Sequence, residues 1–205
     1  MTTLQPATLE ILANRTMEAI VVGASAGGVD AMLHIFKGLP QHYPLPIIAL
    51  LHMQETRESK LAELFQHHLN LQVKEATDKE SIAPGTLYFA PASYHLSIEH
   101  NLQFSLSCEA PLHFSRPSID ILMESAADAY GEALVGILLT GANPDGAAGM
   151  RAIKQAGGLA IVQDPDEAEV DYMPRAAIQL QTPDMILRLG RINQLLITLG
   201  EQHVH

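Results

Sequence analysis

Tryptophan is absent from the 205-residue chain, and cysteine occurs once, as Cys108. A lone cysteine leaves no intrachain disulfide framework, so the fold has to be held by its core. Positive charge is scarce: 12 Lys and Arg face 23 Asp and Glu, a formal net charge of −11. Without a basic block there is no field to attract nucleic-acid phosphates or an anionic membrane, and neither is expected as a partner. Long apolar runs are missing too; the longest, such as 133–139 and 47–51, stop far short of the roughly 18 residues that suggest a membrane span. The opening Met1-Thr2-Thr3-Leu4-Gln5 lacks the basic stretch and apolar core of a secretory signal, which points to a cytoplasmic protein. What is present is 47% hydrophobic residues with scattered Gly and Pro and no fixed repeat, the composition of one soluble domain.

Short apolar runs at 19–22, 47–51, 134–139 and 159–162 are bounded by Gly, Pro or polar residues, as strands buried on both faces should be. Between them, Val29, Met32, Leu33 and Phe36, then Leu61, Leu64, Phe65 and Leu69, then Ile119, Leu122, Met123 and Ala126 repeat with helical spacing. The alternation predicts an α/β fold: a doubly wound, mostly parallel sheet with helices on both faces. In the middle, runs at 87–90, 95–98 and 102–106 are short and turn-separated, which predicts an antiparallel hairpin at a sheet edge. The expected organisation is an N-terminal extension over 1–17, a main domain over 18–190 and a C-terminal helix or tail over 191–205. The first 16 residues and the tail are expected to pack as peripheral helices.

Gly23-Ala24-Ser25-Ala26-Gly27 follows the first strand and precedes the first helical stripe. A sharp strand-to-helix turn needs small neighbours, and it presents a serine hydroxyl beside free helix amides that can hold an oxyanion. A glycine-rich turn that binds phosphate or merely packs helix on strand is the competing reading. Against it, the glycines do not follow G-x-G-x-x-G, and the second strand ends in His52 rather than an acidic residue. His52 would share the carboxyl edge of the sheet with Ser25, and imidazole is the base that a serine nucleophile needs. Asp145, in the tight loop after the strand at 134–139, could orient that imidazole. It could equally be the N-cap of the helix that follows, beginning near Ala147. Asp164 and Asp166 rank behind it. The ten histidines show no H-E-x-x-H or Cys/His cluster, so no metal is expected. Cys108 reads as a small packed residue. Arg116-Pro117-Ser118 reads as a helix start, with Pro117 in the first turn and Arg116 a surface charge or an anchor for an acidic substrate.

Taken together, Gly23-Ala24-Ser25-Ala26-Gly27-Gly28, Leu51-His52-Met53, Arg116-Pro117-Ser118-Ile119-Asp120, Leu139-Thr140-Gly141 through Asp145-Gly146-Ala147-Ala148-Gly149, and Met173-Pro174-Arg175-Ala176-Ala177 resemble the catalytic domain of the bacterial chemotaxis protein-glutamate methylesterases, the CheB type. The likeness runs over about 18–189. It implies hydrolysis of γ-glutamyl methyl esters on the cytoplasmic domains of chemoreceptors, with release of methanol, and often deamidation of glutamine at such sites. By the same resemblance Ser25 is the nucleophile, His52 the base and acid, and Asp145 the orienting carboxylate. The backbone amides of Ala26 and Ala142 are the oxyanion donors by position. Thr140, Gly141, Arg116 and Met173 are substrate contacts, and no cofactor is needed. Methylated chemoreceptor domains are the implied partners, with a separate response regulator or chemosensory protein as another.

The chain also departs from the family pattern. Ala26 stands where Thr is common, and Ala142-Asn143-Pro144 replaces a loop that usually carries Met-Gly. Asn143 could supply there the left-handed backbone that a glycine allows. Gln54-Glu55-Thr56-Arg57 follows His52-Met53 in place of Pro and an aromatic, and Tyr172 replaces a glycine before Met173. Arg57 and Arg116 are candidates for contacts to an acidic receptor helix. No receiver domain precedes Glu18, so gating by a fused phosphorylated regulator is not expected. The rival readings are a catalytically weak binding module that docks receptor helices or a signalling partner, and an esterase for a different ester.

Overall fold

The computed structural model describes residues 11–12, 15–52, 60–112 and 114–203. Four apolar runs become the centre of one parallel sheet: β1 (Ala19–Ala24), β2 (Ile47–Leu51), β7 (Leu134–Leu138) and β8 (Leu159–Gln163), every residue of which is buried. Three shorter strands complete the sheet: β3 (Gln72–Glu75), β4 (Thr86–Phe89) and β9 (Met185–Leu187). The order is β3-β4-β2-β1-β7-β8-β9, and all neighbours run parallel. The chain winds outward from β1 through β2 to β3 and β4, then returns to the other side of β1 at β7. Direction therefore reverses at β1 and β7, where the carboxyl ends of strands open a crevice.

Residues along β1 alternate between two cores. Ile20, Val22 and Ala24 pack with α1 (Gly28–Phe36), α2 (Leu61–His68) and α6 (Leu189–Gln202). Ala19 and Val21 face α3 (Ile119–Tyr130), α4 (Ala147–Gln155) and α5 (Tyr172–Leu180). Helices thus cover both faces, as continuous hydrophobic strands require. Helix α3 lies close along α4, because a Cβ built on Gly149 would fall 2.5 Å from Met123 Cβ. Among the described residues no helix is long and apolar enough to cross a membrane.

Several expectations need correction. Of the three short central runs, the first is β4, an inner strand of the parallel sheet between β3 and β2. Only β5 (His95–Ile98) and β6 (Phe104–Ser107) form the antiparallel hairpin, as a separate two-stranded sheet. It is no edge of the main sheet; Leu96, Ile98 and Phe104 join the core under α3, and Ser125 of α3 accepts the Ile98 amide at 3.1 Å. The C-terminal segment is not peripheral, since Ile192, Leu195, Leu196 and Leu199 of α6 are core residues. Leu12 and Met17 are each 1% exposed and lie in the same cluster, so part of the expected N-terminal extension is packed. Cys108 is exposed rather than packed, because it follows β6 at the surface. Pro117 lies before the Ser118 N-cap rather than in the first turn of α3. Arg57 and Gln54-Glu55-Thr56 lie outside the described residues.

Leu196→Ala is expected to cost about 2–4 kcal/mol in urea unfolding, the range for a large-to-small change at a fully buried site. A loss well under 1 kcal/mol would return α6 to the periphery.

Candidate active site

The strand register sets the site. Ala24 pairs with Leu51, so Ser25 and His52 leave the ends of adjacent strands one residue later. The His52 amide donates to Ala24 O at 3.1 Å, which keeps the two chains together past the last pair. On the other side β1 pairs with β7, and Ser25 N donates to Thr140 O at 3.0 Å. Three neighbouring strands therefore deliver Ser25, His52 and the 140–146 loop to one spot.

Gly141 has no room for a side chain there. A Cβ would lie 2.5 Å from Met173 Cε and 3.0 Å from Ser25 Cβ. The backbone of the loop consequently runs directly past the serine.

Asp145 is buried, and it caps a helix, although not the expected one. The N-cap of α4 is Gly146, with no side-chain cap. Asp145 reaches back to α3: Oδ1 accepts from Ser118 Oγ at 2.8 Å and Asp120 N at 2.9 Å, and Oδ2 accepts from Ile119 N at 2.8 Å. Asp120 returns the exchange, its Oδ1 accepting Gly146 N at 2.9 Å and Gly149 N at 2.7 Å at the start of α4. Each helix thus has its orphan amides satisfied by a carboxylate carried next to or within the other.

Asp145 Oδ2 also lies 2.9 Å from His52 Nε2, with the ring tilted off a linear hydrogen bond. Burial alone would push the Asp145 carboxyl up. The adjacent His52 imidazole, the Asp120 and Ile119 amides and the Ser118 hydroxyl together outweigh it, and the group sits below the ordinary aspartate range. Asp145 is thus an anion facing one imidazole nitrogen. The other nitrogen, Nδ1, faces Asn143 Nδ2 at 3.4 Å. Neither Ala26 N nor Ala142 N donates a hydrogen bond to a described residue, and both residues are exposed beside the serine.

The remaining expected contacts have other tasks. Thr140 is 1% exposed, and its hydroxyl bonds Ala26 O at 2.8 Å and Val170 O at 3.2 Å while accepting Val170 N at 2.9 Å. It ties the elbow to the 170 segment and has no exposed side chain to offer a substrate. Met173 is 0% exposed and packs on Gly141. Arg116 Nη1 donates to Cys108 O at 3.2 Å and Glu109 O at 3.0 Å, anchoring the segment after the hairpin. Ser118, Asp120 and Asn143 are the site residues that spacing did not single out. The pattern Ser118-x-Asp120 at a helix start was their only local signal. Asp164 and Asp166 lie apart from the imidazole and pair with Arg188 and Arg175. Among the described residues no group of three or more His, Cys, Asp or Glu is placed to hold a metal ion.

Fold and cluster define a class: a doubly wound α/β protein with serine, imidazole and carboxylate at the carboxyl edge, where the winding reverses. Residues 20–196 match the family model described as CheB methylesterase, and the chain belongs to that family. A Leptospira interrogans protein, provisionally named protein-glutamate methylesterase/protein-glutamine glutaminase, is 44% identical over 187 residues, covering 91% of this chain and 97% of its own. The protein-glutamate methylesterase/protein-glutamine glutaminase 1 of Carboxydothermus hydrogenoformans is 39% identical, and the match covers 89% of this chain but 55% of that longer protein. The crystal structure of the Thermotoga maritima CheB methylesterase catalytic domain superposes with a TM-score of 0.85 at 31% identity, covering 90% of this chain and 99% of that one.

The depressed Asp145 carboxyl links stability to pH. Its contribution is fully present above the unfolded value of about 3.9 and is lost as pH falls through the lower folded value. Asp145→Asn should therefore cost about 2–4 kcal/mol near neutrality, and the gap to wild type should shrink in urea unfolding at about pH 3. An equal gap at both pH values would mean that the buried group is not ionised.

Proposed function

We propose that this chain is a protein-glutamate methylesterase in which Ser25, His52 and Asp145 act as a catalytic triad on methylated side chains of chemoreceptor-like proteins. The observation that carries the proposal is the contact between His52 and the ionised Asp145, made one residue beyond the strand pair that also releases Ser25. Adjacent parallel strands lie about 4.8 Å apart, which sets His52 beside Ser25, although among the described residues the His52 Nδ1 hydrogen bond is made with Asn143 and not with the serine hydroxyl.

In the proposed cycle the Ser25 hydroxyl oxygen attacks the ester carbonyl as its proton passes to His52 Nδ1. Negative charge gathers on the carbonyl oxygen, where the undonated amides of Ala26 and Ala142 could receive it. Asp145 stabilises the imidazolium without taking its proton. Collapse of the tetrahedral intermediate breaks the C–O bond to methoxide, which leaves as methanol with the proton from His52. Water, deprotonated by His52, then releases the glutamate carboxylate and restores Ser25. A glutamine side chain enters the same cycle with ammonia as leaving group. The altered 142–144 loop still carries Asp145 onto His52, which favours an enzyme over a binding module that has kept residual sequence.

The test is methanol release from a methylated chemoreceptor cytoplasmic fragment. Wild type should release it, and Ser25→Ala should lower the rate at least about 10³-fold while circular dichroism stays unchanged. Equal rates for the two proteins would refute the role of Ser25. No release by folded wild type, combined with serine-dependent cleavage of a small-ester panel, would move the reading to a different ester.

A further inference from the structure

Asn143 stands in the loop between Ser25's neighbour Gly141 and Asp145, at a position where the resembled pattern usually has glycine. Its backbone is not in the left-handed region, whose non-glycine members among the described residues are Lys79, Ser93, Leu102 and Phe114. The expected role of Asn143 as a left-handed stand-in for glycine is therefore not what the structure uses. Its side chain is used instead. Oδ1 accepts Asp145 N–H at 3.2 Å, and Nδ2 lies 3.4 Å from His52 Nδ1 and 3.5 Å from Ser115 Oγ.

These partners settle which way the carboxamide points and where the imidazole proton sits. A backbone amide can only donate, so the Asn143 oxygen belongs on the Asp145 side and its NH2 on the histidine side. An NH2 group can only donate, so Nδ1 must accept. A neutral imidazole has one N–H, which is then on Nε2, facing the acceptor-only carboxylate of Asp145. We propose that Asn143 is a positioning residue that holds His52 in the Nε2–H tautomer, its NH2 resting on the Nδ1 lone pair that a serine proton would take. The assignment of that lone pair as the catalytic base rests on the methylesterase reading; the tautomer does not.

Protonation of Nδ1 would set N–H against N–H and forfeit the Asn143 bond, so Asn143 favours the neutral ring. The bond is long, which lets the NH2 give way when a serine proton arrives. Other ionisable groups around the ring are otherwise engaged. Asp145 is on Nε2, and Asp120 is on the Gly146 and Gly149 amides. His95 lies between Ser118 N and Ala110 O, Arg116 binds the Cys108 and Glu109 carbonyls, and Glu169 lies over Gly27. Among the described residues, Asn143 alone contributes a hydrogen bond at Nδ1.

The experiment is long-range ¹H–¹⁵N correlation of the imidazole rings in wild type, Asn143→Gly and Asn143→Asp across pH, with His52 assigned by His52→Gln. The same variants are assayed for kcat/KM against the methylated receptor fragment. Wild type should show the Nε2–H tautomer. The His52 titration midpoint and the acid limb of kcat/KM should both move upward by about 0.5 pH unit in Asn143→Gly, where a weak hydrogen bond to the neutral ring is lost. In Asn143→Asp both should move upward by roughly 1–2 units, where an acceptor with negative charge replaces the donor. A purely structural loop residue would lower activity without this ordered shift. An Nδ1–H tautomer in wild type, or superimposable His52 titrations in all three proteins, would overturn the proposal. The predicted tautomer and titrations without Ser25-dependent hydrolysis would support the role of Asn143 while refuting the methylesterase reading.

Discussion

The exchange of carboxylates between α3 and α4 is the interaction on which the rest of the site depends. Asp145, just before α4, caps α3; Asp120, in the first turn of α3, caps α4. A helix start presents amides that must find acceptors, and burying two such ends together without acceptors would cost several hydrogen bonds. Two charged side chains meet that demand, and the resulting junction holds the 140–146 loop against the sheet. The placement of Asp145 beside the imidazole is then a by-product of a folding requirement: the carboxylate oxygen that receives the Ile119 amide is also the one beside His52.

The sheet contributes the other half. Because β1 lies between β2 and β7, residues that leave the carboxyl ends of all three emerge side by side. Thr140 closes the arrangement from behind by bonding Ala26 O on the elbow and Val170 on the segment leading to α5. The serine, the imidazole and the anion are thus placed by backbone pairing and buried hydrogen bonds rather than by flexible side-chain reach, which is the preorganisation that the proposed function requires.

How much of this was legible in the sequence follows the range of the interactions. The four central strands were readable because burial on both faces leaves uninterrupted apolar runs, and Ser25 and His52 were readable because they end two of those runs. Gln72-Val73-Lys74-Glu75 was not, because β3 is an edge strand in which only Val73 is buried. Thr86–Phe89 was assigned to the hairpin because it is a sequence neighbour of β5, whereas its actual partners, β2 and β3, are parallel and reached by crossover. Asp145 was recognised as a carboxylate with a capping or orienting task; in the structure it caps a helix and lies beside His52. The helix it caps begins at Ile119, which no local pattern around Asp145 reveals. Thr140 and Met173 were taken for substrate contacts on motif position alone, and burial turns them inward.

The central claim is that Asp145 and Asp120 form one unit joining fold to site. Its most direct test is a double-mutant cycle in urea unfolding between Asp145→Asn and Asp120→Asn at neutral pH. Both single changes loosen the same α3–α4 junction, so the double variant should lose less than the sum of the singles, by about 1 kcal/mol or more. Additivity within about 0.3 kcal/mol would mean that the two carboxylates act independently, and would contradict the account.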